Sequence, residues 1–187
     1  GVWVRDSDPA LIQRAVAWLI GQPWCGPVFT RGGIAGTIRH AELMIDHPRA
    51  ADIVLSLRHD ELGNAWGRAG RSADNAPYPE RGGCHGGLSR FELSNFLAMA
   101  GTAFHSGARP ETPAGNVDIL PTVLDVMGIG IDHQIDGRVL TEALVRWQVD
   151  GLGDESVISV HDRSGRESHL SVTEFNGTRY LNRAWVE

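Results

Sequence analysis

Cysteine is scarce, with only Cys25 and Cys84 in 187 residues. They stand in no CxxC arrangement, which excludes a zinc or redox site of that type, and they read as buried thiols in preference to a disulfide. An excess of positive charge is also missing: 17 Lys and Arg stand against 23 Asp and Glu, giving a net charge of −6. Nucleic-acid polymers and anionic membrane surfaces are met by clustered cations, so neither is an expected partner, and an anionic substrate would need a local source of positive charge. No apolar run approaches the ~20 residues that span a bilayer, so no membrane span is expected. The first residues carry neither the basic start nor the cleavage site of a signal peptide, which leaves the compartment open. There is no P-loop, no GxGxxG and no GxSxG elbow. An initiator methionine is absent as well, and the chain opens in mid-pattern with Val2-Trp3-Val4 leading into a helix start, so a fragment of a longer polypeptide is expected.

What is present is an ordinary globular composition, 42% hydrophobic, enough to bury a core in an ordered chain. Asp8 before Pro9 is a helix-start pair, and Leu11, Ile12, Ala15, Val16, Trp18 and Leu19 recur at helical spacing, predicting a helix from Pro9 to Gly21. Gly26 to Thr30 reads as a strand ahead of a Gly32-Gly33 turn, followed by an amphipathic stretch over Ala41 to Ile45. Ala51 to Leu57 is a continuous apolar run of the kind buried on both faces of a parallel sheet, and residues near its C-terminal end become site candidates. From His59 to Gly87 the chain is polar and glycine-rich, which reads as a long functional or mobile loop.

Ser89 can cap a helix over Arg90 to Ala100, and a short strand is expected at Thr102 to His105. Val117, Leu120, Val123, Leu124 and Met127 predict a second long helix over Asn116 to Met127, closed by Gly128, with a further short helix over Thr141 to Trp147. Beyond Gly151, strands at Ser156 to His161, Ser168 to Phe175 and Arg179 to Trp185 are separated by turn residues and read as an antiparallel meander. The expected fold class is therefore α/β: a mostly parallel sheet sandwiched by helices over residues 1–150, with a β-rich tail over 151–187 packed on the same domain.

Among residues that could carry chemistry, His85 is the most distinctive. Gly82-Gly83 and Gly86-Gly87 surround it with only Cys84 intervening, so the backbone can approach a ligand closely. Imidazole serves as a zinc ligand or a general base, while the plain alternative is a histidine in a surface loop. His59-Asp60, just after an expected buried strand, is a secondary candidate for metal or for anchoring a loop. His40, His47, His105, His133, His161 and His169 have no partner at metal-ligand spacing and read as surface or loop residues. Asn116 and Asp118 read as helix-start residues. Thr30 and Thr37 lie in glycine-rich surroundings but not in a nucleophile context.

The run from Gly83 to Leu144 resembles the C-terminal portion of the type I phosphodiesterase/nucleotide pyrophosphatase branch of the alkaline phosphatase superfamily. The motifs that carry it are CHGGLSRFELSNFLAMAG, GNVDILPTVLDVMGIG and DGRVLTEAL, in that order, preceded by ADIVLSLRHDELGNAWGRAG. The resemblance implies an alkaline phosphatase-like fold in part, and it implies His85 as a metal ligand. It also implies a full-length enzyme with two divalent metal ions, zinc first among them, that hydrolyses a small phosphate ester. In such enzymes an Asp ligand, a Ser or Thr nucleophile, an Asp with a nearby His, and an Asp-His pair come from segments that would precede Gly1. No DHG pair occurs here. The chain is therefore expected to contribute His85, on the C-terminal side of the sheet and facing a cleft. It should be inactive alone, with the N-terminal remainder of the same polypeptide as its partner. The competing expectation is a catalytically silent α/β interaction or regulatory domain.

Overall fold

A computed structural model describes residues 1–73, 85–146 and 151–187. Asp8 starts the first helix, α1 (Pro9–Ile20), by accepting from the backbone N–H groups of Ala10 at 2.8 Å and Leu11 at 3.4 Å. Pro9 at the first helical position has no N–H to lose. One face of α1 buries Val16 and Leu19 against Cys25, Val28 and Ile53, with Ile12, Ile20 and Trp24 at the margin. The sheet under it is built from β1 (Cys25–Thr30), β2 (Ile38–Arg39) and β3 (Ile53–Leu57), in the order β2-β1-β3. β1 is central and buried throughout. Its register against β3 shifts between Cys25 and Val28. Pro27 lies in that interval and has no N–H for the ladder, which is the setting in which a strand tolerates proline.

The expected mostly parallel sheet sandwiched by helices is not what forms. β1 pairs with β2 in parallel, but with β3 antiparallel, Thr30 opposite Ile53 and Cys25 opposite Leu57. An apolar run such as ADIVLSL reports burial and carries no information on strand direction. A parallel return in one sheet needs a crossover, usually helical, and the link from β1 to β3 holds only β2 and a 3-10 turn at His40–Leu43. Among the described residues only three α-helices occur, all short, and strands in antiparallel pairings dominate.

The long loop expected after Leu57 is partly ordered. β4 (His59–Gly63) and β5 (Ala69–Ser72) form an antiparallel hairpin, with His59 opposite Ser72 and Asp60 opposite Arg71. Its turn is closed by Asn64 Oδ1, which accepts from the N–H groups of Trp66 and Arg68 at 3.0 and 2.9 Å. Most of the rest of that expected loop, Cys84 included, lies outside the described residues. Ser89 caps α2 (Arg90–Leu93), but this helix makes one turn and does not run to Ala100. Ser94 and Asn95 follow, residue types whose side chains compete for backbone bonds.

A 3-10 turn at Asn116–Asp118 leads into α3 (Ile119–Met127), which Gly128 ends in the left-handed region at φ 68°. The expected strand over Thr102 to His105 reduces to a single bridge between Phe104 and Leu144. The helix expected over Thr141 to Trp147 reduces to a 3-10 turn at Thr141–Ala143, and Trp147 lies outside the described residues. The C-terminal meander forms from β6 (Asp154–His161), β7 (Glu167–Phe175) and β8 (Thr178–Val186), in the order β6-β7-β8. Asn176 and Gly177 turn β7 into β8 with φ of 48° and 78°, as a two-residue hairpin requires.

Contacts divide the chain into two units: Gly1–Asn95 with Val157–Ser171 and Leu181–Glu187, and Phe96–Ser156 with Val172–Tyr180. In the first, Arg166 donates to the carbonyls of Ile20, Cys25 and Gly26 at 2.6 to 2.9 Å, tying the turn before β7 to the end of α1 and the start of β1. In the second, a polar network lies among buried Leu140, Leu144 and Val172: Asp118, fully buried, accepts from the N–H groups of Gly115 and Arg138 and from the Tyr180 hydroxyl. No helix is long and apolar enough to cross a membrane among the described residues.

Candidate functional site

His85 lines a cleft of about 270 Å³ together with Leu55, Ser56 and Leu57 of β3, Ser72 and Ala73 at the end of β5, and Glu92 of α2. The imidazole is therefore placed beside the C-terminal half of β3, and the residue is exposed. The segment after it is stitched into the fold. The N–H of Leu88 donates to Ser56 Oγ at 3.1 Å, and its carbonyl accepts from the N–H of Ala184 in β8 at 2.8 Å. Ser89 then closes a reciprocal cap on α2, accepting from the Glu92 N–H at 3.2 Å and donating to Glu92 Oε2 at 2.9 Å. That carboxylate folds back over Gly87, where any Cβ would collide with both its oxygens. Gly86 supplies the other requirement, a left-handed φ of 90°.

His59 and Asp60, the secondary candidates, sit on β4 and face a separate task. Asp60 takes both Nε and Nη2 of Arg71 at 3.1 and 2.6 Å, which holds its carboxyl below the usual range. His59 is half-buried, and burial lowers its pKa, opposed by the carboxylate of Glu92. Thr30 and Thr37 are buried and bonded to each other at 2.8 Å. Because Thr37 donates to the Ile34 carbonyl at 2.7 Å, the Thr30 hydroxyl supplies the shared proton, and neither oxygen faces solvent as a nucleophile. Asp118 does more than start a helix, since it is the buried acceptor at the centre of the second unit.

Among the other histidines, His47, His133 and His161 are exposed and engaged locally: His47 accepts from the Arg49 N–H, and His133 and His161 pair with Asp132 and Glu167. His105 is exposed, whereas His169 is buried, bonded to Ser159 and stacked on Trp185 at 4.7 Å between centroids. His40 departs most from expectation. It is wholly buried at the start of a 3-10 turn, and neither ring nitrogen has a hydrogen-bond partner among the described residues. The spacing of hydrophobic residues does not reveal this, because a histidine beside Arg39 and Glu42 looks polar in sequence.

A larger cleft of about 500 Å³ belongs to the second unit and is lined by Phe96, Phe104, His105 and Arg109 among others. Of the polar groups there, Thr112 and Glu142 are engaged with each other and with Arg138, whereas His105 and Arg109 line its wall. The smaller cleft at His85 is the one that holds the residue the sequence singles out.

Comparison with known proteins gives no matching family model, no similar curated protein and no similar solved structure. The residues of the site carry its reading. A catalytic zinc takes three protein ligands plus water or substrate. Among the described residues no group of three or more His, Cys, Asp or Glu is arranged to hold a metal ion. The described part of this chain does not fit a complete metal centre, and no step of hydrolysis follows from it alone.

Proposed function

We propose that this chain supplies one metal-ligand histidine, His85, to a phosphoesterase site of the alkaline phosphatase type, whose nucleophile and remaining ligands lie outside residues 1–187. The observation that carries the reading is the place of His85: exposed on a cleft beside the C-terminal half of β3, on a glycine-flanked segment whose backbone is pinned by Ser56 and Ala184. A ligand histidine works best on a supported backbone, and the bonds of Leu88, three residues on, favour this reading. The ordered motifs from Gly83 to Leu144 support the same reading. The substrate class is a small phosphate ester, and two divalent ions, zinc by the nature of an imidazole donor, would supply the positive charge that an acidic chain lacks.

Metal analysis of a polypeptide extended upstream of Gly1 tests this. The expected content is about two divalent ions per chain, falling by one in His85→Ala with a severe loss of diester hydrolysis. The same change at His105 leaves both near wild type. Wild-type metal content and rate in His85→Ala would remove the proposal.

A second reading, a catalytically silent interaction or regulatory domain, draws on α3. Leu120, Val123, Val126 and Met127 are all exposed on it, and exposed apolar side chains grouped on one helix are a feature of interaction surfaces. The longer polypeptide would then bind no metal.

A further inference from the structure

A second cleft, about 380 Å³, adjoins the one at His85, and Ser72 and Ala73 line both. Its own wall adds Arg58, His59, Asp60 and Arg71. The placement follows from the strand order. β3 ends at Leu57 and β4 begins at His59, so Arg58 occupies the corner where the chain passes from the sheet into the hairpin. Its backbone is held on both sides, the N–H donating to the Trp24 carbonyl at 2.8 Å and the carbonyl accepting from the Ala73 N–H at 2.7 Å. Its side chain is exposed and makes no hydrogen bond or ion pair with the described residues.

Arg71 complements it. The bidentate pair with Asp60, its cross-strand neighbour, uses Nε and Nη2 and fixes the plane of the guanidinium. Nη1 makes no hydrogen bond with the described residues, so an oriented donor remains for a ligand, with Asp60 already holding the side chain in order. The half-buried ring of His59 and the hydroxyl of Ser72 line the same space. Two guanidiniums against one carboxylate leave local positive charge in a chain whose net charge is −6. Planar, multiply donating Arg pairs are the side chains that suit tetrahedral oxyanions.

We infer that this cleft is an oxyanion subsite, in which Arg58 and Arg71 hold a second phosphate-type group of the substrate beside the His85 cleft. The inference rests on the proposed function for what the anion belongs to, and it narrows the substrate to esters or anhydrides that carry a second anionic group near the scissile phosphorus. Arg58 and Arg71 are then specificity-determining residues, favouring doubly anionic substrates over diesters with neutral arms.

The 187-residue chain itself tests it, with EDTA present so that no metal contributes. Inorganic pyrophosphate and inorganic phosphate are titrated at pH 7.5 and constant ionic strength while backbone amide resonances are followed. Saturable shifts at Arg58, His59 and Ser72 are expected, with pyrophosphate binding more tightly than phosphate. Arg58→Gln should weaken pyrophosphate about tenfold and Arg71→Lys several-fold, with the dispersion of the spectrum showing both variants folded. Comparable affinity for the two anions would make the site a free-phosphate site and overturn the assignment to a substrate's second group. Absence of saturable shifts, or shifts that persist unchanged in Arg58→Gln, would overturn the subsite altogether. The metal content of the longer polypeptide does not enter this measurement, so failure of the His85 proposal and failure of the subsite are read separately.

Discussion

The backbone N–H of Leu88 donates to Ser56 Oγ at 3.1 Å, which binds the segment carrying His85 to the C-terminal half of β3. Ser56 is buried, so its hydroxyl links a core strand to the exposed lip of the cleft. Ser56→Ala should cost about 1 kcal/mol, because the Leu88 donor is left without its acceptor in a half-buried setting. Hydrogen exchange at Leu88 should accelerate while exchange within α1 keeps its rank order. An unchanged Leu88 rate would mean that the Ala184 bond alone holds the segment.

The second unit should depend strongly on Arg138. Its guanidinium donates to Glu142 through Nη1 at 2.8 Å and Nη2 at 2.6 Å, to the Pro113 carbonyl, and through Nε to the Tyr180 hydroxyl. The ring of Phe175 lies under it at 4.7 Å. Burial opposes the charge of Glu142, yet Arg138 and Thr112 outweigh it and its carboxyl stays below the usual range. Arg138→Met should destabilise by about 3–5 kcal/mol, since it strands a buried carboxylate, whereas replacing Arg138 and Glu142 together by apolar residues should cost less. Denaturant unfolding of the single and double variants decides it.

Tyr180 provides an alkaline readout of that network. Burial, with the Asp118 carboxylate accepting its proton, pushes the phenol up to about 12. The folded state therefore favours the protonated phenol. Its contribution is complete below the ordinary tyrosine value of about 10 and is lost as pH rises from there towards 12. Absorbance titration should show one tyrosine ionising late, and Tyr180→Phe should remove that phase. A single unshifted transition for both tyrosines would contradict the arrangement.

His40 provides the acidic counterpart. Burial lowers its pKa, with the carboxylates of Asp46 and Asp52 opposing and Arg31 adding to the effect. Above the ordinary histidine value of about 6.5 the ring is neutral in both states and costs nothing. As pH falls below that, the unfolded chain takes up a proton that the folded chain resists, so stability declines, by at most about 1.4 kcal/mol per pH unit for this group. His59 shifts in the same direction and adds to the slope. His40→Leu should flatten the dependence between pH 6.5 and 5 without abolishing it. An identical slope in the variant would assign the effect elsewhere.

Hydrolysis by the 187-residue chain alone should be at background for both bis-p-nitrophenyl phosphate and p-nitrophenyl phosphate, with zinc or manganese added. The proposed division of the site leaves one ligand and no nucleophile in this chain. Metal-dependent turnover by the purified chain would refute that division.

Several elements are legible in the sequence because adjacent residues decide them. Asp8 and Pro9 place the start of α1. Gly128 places the end of α3, and Asn176-Gly177 places the turn between β7 and β8. Each rests on a backbone conformation or an unpaired N–H that one or two residue types satisfy. The β4–β5 hairpin is hidden because its strands are short, polar and glycine-rich, and Asn64 closes the turn with a side chain that periodicity does not register. The helix after Ser89 is shorter than its pattern suggests because Phe96, Leu97 and Met99 keep an apolar rhythm, although they stand after its single turn.

By itself the sequence determines where the local elements begin and turn, and it marks His85 out by its glycines. It does not determine the direction in which β3 returns beside β1, because the ladder's polarity depends on the path of the intervening chain and not on the side chains of either strand. Tertiary structure alone decides that His40 is sealed in the core, that Asp118 meets Tyr180 across 62 residues, and that the cleft of Arg58 and Arg71 shares Ser72 and Ala73 with the His85 cleft. Each of these is a meeting of residues distant along the chain, and what brings them together is the burial of apolar surface elsewhere, which no local pattern contains.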